Sequence, residues 1–264
     1  MILCACATFL TLQSLQWASL RVLLLTPANE AVAFELVLRA SAALICFFAL
    51  LLTGSRGGLI CSCLGLLVAL ALMTPHRWRA RSWYVAGSLI AALTVTLAWL
   101  SGTGRIGSQG AFDAGRSVVY EMCIEAIRQR PLLGAGLGTF ADLFPSLRTA
   151  DFESWGVWDF AHSTILEVAF EMGIPLALAL VLGASGSVLI LARAALRSGG
   201  RHRSSLAALT GIAVLTYLHA TIDFSLQIPG YAIVFGILLG CGLAQATAGN
   251  RSKTATLPAE PAPR

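Results

Sequence analysis

Apolar residues run along this chain in blocks about as long as a membrane-crossing helix, with short polar punctuation between them. The blocks fall near 3–25, 35–54, 57–74, 83–101, 163–192, 205–222 and 229–247. A helix needs roughly 20 residues to cross the hydrocarbon core, and lipid cannot satisfy open backbone donors and acceptors. Each block is therefore read as a helix. The first is the weakest, because Gln13, Gln16 and Arg21 interrupt it. The second and third are separated only by Thr53-Gly54-Ser55-Arg56-Gly57-Gly58, a tight turn at a membrane surface. The pattern predicts an all-α, polytopic bundle of about seven transmembrane helices: four within 1–101, a large polar loop at 102–161, and three within 162–247.

The loop has its own order. Residues 102–110 are glycine-rich, and from Ala114 to Arg130 the apolar residues Val118, Val119, Met122, Cys123, Ala126 and Ile127 recur at helical spacing. This predicts an amphipathic helix, ended by Pro131, on or near the membrane surface. Leu132 to Phe140, with Gly136 and Gly138, looks superficially like a dinucleotide fingerprint, but no strand precedes it and the spacing is wrong. It is read as a compact turn that re-enters the protein. The segment Phe152–Phe160, with Trp155 and Trp158, then leads back to the membrane surface, where tryptophan is favoured.

Composition agrees with the pattern. Hydrophobic residues make up 57% of the 264, charged residues only 12%, and mean hydropathy is +0.78, which excludes an ordinary soluble domain. The net charge of +5 is explained by where the basic residues lie. Arg77, Arg79 and Arg81, then Arg193, Arg197, Arg201 and Arg203, then Arg251 and Lys253 all fall on one side of alternating spans. That side is the cytoplasm by the positive-inside rule, so the 54–58 turn, the 102–161 loop and the 223–228 turn lie outside. The charge marks a membrane rim and implies no nucleic acid. Seven cysteines, all but Cys123 in apolar spans, imply no disulfide framework, and Cys61-Ser62-Cys63 lacks metal-ligand spacing; no metal or cofactor is expected. Residues 248–264, with Pro258, Pro261 and Pro263, read as a disordered cytoplasmic tail. A start outside and an end inside, with no basic leader before the first span, suggests the C-terminal part of a longer membrane protein.

Charged groups at the outer ends of the spans call for an explanation. Arg56 sits at a helical hairpin among Gly54, Gly57 and Gly58; a snorkelling interfacial anchor accounts for it equally well. Arg116 stands in the first turn of the loop helix, where a positive charge opposes the dipole unless an anion answers it, or unless Asp113 or Glu121 pairs with it. His162 lies at the mouth of the fifth span with Ser163 as N-cap, and Glu167 and Glu171 follow one turn apart. His219 and Asp223 lie four apart on one outer face, as a second polar pair or as a simple cap on the bundle. Guanidinium groups suit phosphate and a histidine near neutral pKa suits general-base work. Together they suit a site where a lipid-linked phosphate leaves and a hydroxyl attacks.

Four stretches resemble the O-antigen ligase and polymerase superfamily of membrane glycosyltransferases. They are Thr53-Gly-Ser-Arg-Gly-Gly58, Gly115-Arg116, Arg130-Pro-Leu-Leu-Gly-Ala-Gly-Leu-Gly-Thr-Phe140, and His162-Ser163 followed by nine residues and Gly173. The resemblance covers roughly residues 35–245. It implies transfer of a glycan from undecaprenyl diphosphate to an acceptor hydroxyl, without metal, at the periplasmic face of the bacterial inner membrane. It implies that Arg56 and Arg116 hold the diphosphate and that His162 orients or deprotonates the acceptor with inversion at the anomeric carbon. Around these three, Ser55, Ser163, Gly136, Gly138, Glu167, Glu171, His219 and Asp223 are the candidate substrate-binding residues. The acceptor is lipid A–core, a glycan or a protein. Two positions depart from the family: Tyr120 is the residue nearest to where a tryptophan often follows the Gly-Arg, and Gly173-Ile-Pro-Leu176 ends in leucine. Two other readings stand beside this one, a small-anion transporter of bicarbonate type and an inactive truncated membrane scaffold. A transporter predicts internal repeats and broken helices at the midplane, and the sequence shows neither.

Overall fold

The computed structural model describes residues 30–53, 55–73, 114–148 and 158–254. Those residues form eight α-helices and one 3₁₀ turn, with no strand among them. The helices are α1 (Glu30–Leu52), α2 (Arg56–Met73), α3 (Ala114–Gln129), α4 (Phe140–Leu147), α5 (Thr164–Met172), α6 (Ile174–Arg197), α7 (Gly200–Ala220) and α8 (Pro229–Thr254); the 3₁₀ turn is Ser225–Gln227. The expected spans at 3–25 and 83–101, the basic segment 75–82, the glycine-rich 102–110, Trp155 and the tail beyond Thr254 lie outside the described residues.

The bundle is built around α7, whose small residues let other helices come close. The tightest approach is to α2. A Cβ built on Gly65 would lie 2.5 Å from the Gly211 carbonyl oxygen and 2.7 Å from Leu215 Cβ, and one built on Gly211 would meet the Gly65 carbonyl and Ala69. Small residues at a crossing replace the hydrophobic drive that lipid cannot supply. On the other side Leu191 of α6, Leu206 and Ile212 of α7 and Phe235 of α8 close a core with Met73. Among the described residues two helices, Ile174–Arg197 and Pro229–Ala248, are long and apolar enough to cross a membrane, and Val37–Leu52 and Gly57–Met73 are shorter apolar helices. Their outward faces carry large apolar residues such as Leu178, Leu182, Ile190, Ile233 and Ile237. Contiguous exposed apolar surface of this kind suits lipid rather than water.

Several limits differ from those the sequence predicts. The expected fifth span at 163–192 is two helices, broken at Gly173, whose φ of 85° ends α5. Pro175 stands in the first turn of α6, and the Ile174 N–H leaves the helix to donate to the Pro131 carbonyl at 2.8 Å. The basic loop after that span shrinks to Ser198–Gly199. Arg193 and Arg197 belong to the last turns of α6, and Arg201 and Arg203 to the first turn of α7. Arg203 Nε donates to the Leu72 carbonyl at 2.6 Å, so a cation answers the exposed carbonyls at the C-terminus of α2. The last helix runs on through residues 248–254, where the tail was expected to begin, because no proline interrupts it before Pro258.

The loop helix forms over the expected residues. Its Val119, Cys123 and Ile127 are buried against Phe140 and Phe144 of α4 and Phe170 of α5, so protein covers its apolar face. Helix α4 itself was not expected. It carries Pro145 and is held by stacked Phe140 and Phe144, with centroids 5.0 Å apart, and by Phe170 edge-on at 5.5 Å.

Candidate active site

The N-termini of α2, α3 and α5 and the C-terminus of α7 gather at one end of the bundle, around the turn 221–224. The opposite end holds Met73, Arg197 and Arg203. Each N-terminus is set locally. Ser55 Oγ accepts the Gly58 N–H at 3.0 Å and caps α2, which places Arg56 at its first position. Ser163 Oγ accepts the Leu166 N–H at 3.3 Å and caps α5. The two expected binding serines are thus helix caps. Neither α2 nor α3 has an acidic residue in its first turn. Arg56 opens α2 and Arg116 stands in the first turn of α3, so each adds a cation to the positive end of a dipole, an arrangement that favours a bound anion.

Ile222 brings these ends together. Arg116 Nη1 donates to its carbonyl at 3.1 Å. A Cβ on Gly57 would stand 2.5 Å from its Cδ1, so α2 packs against the side chain of the same residue. Thr164 Oγ1 at the start of α5 donates to the next carbonyl, Asp223, at 3.2 Å.

His162 is the most constrained residue of the site. Its φ of 54° is in the left-handed region that side chains rarely adopt, a conformation that costs roughly 1–2 kcal/mol and persists only where neighbours impose it. Four neighbours do so. Tyr120 Oη donates to the His162 carbonyl at 2.8 Å. The Ala161 N–H, one residue earlier, donates to Glu167 Oε2 at 2.7 Å. The imidazole is flanked edge-on by Trp158 at 5.2 Å and Phe224 at 4.9 Å, and Phe224 is itself stacked on Phe160 at 4.6 Å. Arg116 and the α2 N-terminus with Arg56 therefore share one turn with the wall of His162.

The remaining expected residues divide. His219 Nε2 lies 3.5 Å from Asp223 Oδ2, and its Nδ1 is 2.8 Å from Ser225 Oγ, so this pair joins the site through the same turn. Asp223 Oδ1 also accepts the Phe224 N–H at 2.7 Å. Glu167 and Glu171 are buried and serve the backbone. Burial pushes the Glu167 carboxyl above the usual range, against the Ala161 N–H and a Gln227 side-chain bond that lower it. Glu171 Oε1 accepts the Phe140 N–H at 3.0 Å at the start of α4.

Gly136 and Gly138 sit elsewhere. Their turn docks at the C-terminal end of α5, where Ala135 and Gly136 donate to the Phe170 and Glu171 carbonyls at 2.9 and 2.8 Å. Nine residues of helix, roughly 13 Å, separate that end from His162. Gly134 and Gly173, both at positive φ, interlock there: a Cβ on Gly134 would strike the Glu171 backbone, and one on Gly173 the Leu132 backbone. Cys123 is buried beneath the site with its thiol pushed up to about 12 by burial and by Glu167, which keeps it neutral.

The sequence profile of the O-antigen ligase family matches residues 41–181, just over half of the chain. The chain belongs to the O-antigen ligase family. No curated protein matches it. Within this O-antigen ligase family member, the matched stretch contains Arg56, Arg116, the 131–140 turn, His162 and Gly173, and it stops before His219, Ile222 and Asp223. The turn to which Arg116 is tied thus lies beyond the match. Phe224 and Tyr120 are the two residues of the His162 environment that spacing did not single out. The signal for Phe224, an aromatic directly after Asp223 in the turn that follows α7, is legible only once the fold puts it against His162.

Proposed function

We propose that this chain is a membrane glycosyltransferase that moves a glycan from undecaprenyl diphosphate to an acceptor hydroxyl on the periplasmic side of the inner membrane. One observation carries the reading: Arg116 and the N-terminus of α2, headed by Arg56, meet on Ile222, next to Phe224 and hence to His162. The arginine-rich ends of α6 and α7 lie at the other end of the bundle, which agrees with a periplasmic site under the positive-inside rule.

In this reading the acceptor oxygen attacks the anomeric carbon from the face opposite the leaving diphosphate, so the configuration inverts. The new C–O bond forms as the bond to the diphosphate oxygen breaks, and the electron pair leaves with the diphosphate. Arg56, Arg116 and the α2 and α3 dipoles stabilise that growing charge. The acceptor proton passes to a ring nitrogen of His162 and on to water. His219 and Asp223 fix the turn and line the substrate path beside it, while Glu167 and Glu171 are positioning residues. Ligation to lipid A–core, chain polymerisation and protein glycosylation share this chemistry and differ in the acceptor.

The test compares the complete gene with His162→Ala and His162→Asn in a deletion strain, at matched membrane levels. Asparagine tolerates the left-handed backbone, so the second variant separates chemistry from folding. Both variants are expected to accumulate lipid-linked glycan and lose the finished product. Normal product from either one overturns the role of His162.

A further inference from the structure

The turn after α3 exposes apolar side chains that the transfer reaction does not use. Leu132 is 70% exposed, Leu133 85% and Leu137 75%. A six-residue stretch with three leucines facing outward is costly in water, and this one is held rigidly. Gly134, Gly136 and Gly138 take positive φ values of 68°, 121° and 74°, and Ala135 and Gly136 are hydrogen-bonded to the end of α5. The leucines cannot turn inward without breaking those bonds. The turn is also tied to a spanning helix, because the Ile174 N–H donates to Pro131 and Gly173 packs on the Leu132 backbone.

That tie fixes its depth. Arg193 marks the far end of the apolar part of α6, and the roughly 20 residues needed to cross the hydrocarbon core lead back from it to Gly173 and Ile174. Leu132 and Leu133 therefore lie at the level where the acyl chains begin. They continue the apolar belt formed by Ile174, Leu176, Leu178 and Leu182 on α6, all exposed. Arg130, exposed at the foot of the turn, stands at the height of the headgroup phosphates. We infer that the Leu132–Leu137 turn is a bilayer-inserted wedge, whose partner is the acyl region of the leaflet at the site's end of the bundle. The inference rests on the membrane position of α6 and not on the chemistry of His162.

The full chain, with an environment-sensitive fluorescent amino acid placed at 133 and separately at the exposed Asp142 of α4, would be reconstituted in phosphatidylcholine vesicles. Lipids carrying a nitroxide near the top of the acyl chain and aqueous iodide are the two quenchers. The probe at 133 is expected to emit at shorter wavelength than the probe at 142, to lose intensity to the nitroxide lipid and to resist iodide, with the opposite order at 142. Iodide quenching at 133 equal to that at 142 overturns the wedge. Protection from both quenchers also overturns it, since a protein surface, such as a second copy of the chain, would then cover the turn.

Discussion

Arg116 and Ile222, 106 residues apart, are joined by a 3.1 Å hydrogen bond from the guanidinium Nη1 to the backbone carbonyl. The bond is made where the start of α3 meets the end of α7, and Gly57 of α2 packs on the Ile222 side chain. An arginine held in this way is aimed by the fold, and its planar fork presents bidentate donors that an ammonium lacks. The site is thus organised by a main-chain carbonyl in a turn.

Replacement Arg116→Lys keeps the charge and removes the fork. Transfer by membranes containing the full chain is expected to fall about ten- to a hundredfold, as hydrogen bonds to charged groups are worth roughly 1.5–3 kcal/mol. Protein level and thermal midpoint should change little, since the side chain is partly exposed. A wild-type rate in the lysine variant would show that Arg116 does not hold the diphosphate.

Tyr120→Phe deletes only the hydroxyl that donates to the His162 carbonyl. The expected cost in stability is about 1 kcal/mol. If Tyr120 positions His162, kcat drops several-fold while KM for the lipid-linked donor stays constant and the acid limb of the pH–rate profile moves. A variant that loses stability alone, with unchanged kcat and profile, makes Tyr120 a packing residue.

Two glycines in neighbouring helices should respond in opposite ways to alanine. A Cβ at Gly211 meets the Gly65 carbonyl and lies 2.9 Å from Ala69 Cβ, whereas a Cβ at Gly183 has nothing within 4 Å. Gly211→Ala is expected to destabilise by about 1–3 kcal/mol, and Gly183→Ala to be neutral or to stabilise by up to about 1 kcal/mol. Thermal midpoints of the purified full chain in detergent decide the matter, and equal midpoints would mean that α2 and α7 do not approach so closely.

Glu167 makes a prediction about pH. Burial, with a smaller push from the neighbouring Glu171, raises its carboxyl above the ordinary 4.5 despite the Ala161 N–H and the Gln227 side chain, which lower it. The folded state therefore holds this proton at pH values where an unfolded glutamate has lost it. The stability it contributes is complete below about 4.5 and is lost as pH rises through the higher folded value. Glu167→Gln keeps an acceptor for the Ala161 N–H and has no proton to lose. Its thermal midpoint should rise relative to wild type as pH is raised from 4 to 7, and parallel curves would show that Glu167 is not the group responsible.

The division between sequence and structure is clearest along 163–197. Apolar content alone makes a single span of 163–192, and the sequence holds the break in Gly173-Ile174-Pro175. That tripeptide is decisive only because the Pro131 carbonyl is there to take the Ile174 N–H. Ser163 as N-cap and the loop helix from Ala114 were legible because caps and amphipathic spacing are local. The docking of Gly134 against Gly173, and the meeting of Arg116 with Ile222, were not legible. They depend on backbone atoms, which every residue possesses and no residue type advertises.

The sequence by itself determined the helical character of the described residues, the apolar blocks that supply the two helices among them able to cross a membrane, and the residue types of the O-antigen ligase family, because hydropathy and short motifs act over a few turns of chain. Tertiary structure decided which of those residues meet. It set Ser55 and Ser163 to capping, Glu167 and Glu171 to holding loops, and Gly136 and Gly138 about one short helix away from His162. It also raised Tyr120, Ile222 and Phe224 to the centre of the site. The physical reason is that a buried backbone donor or acceptor must find a partner wherever the fold places one, and that place is fixed by how helices pack, a property of the whole chain.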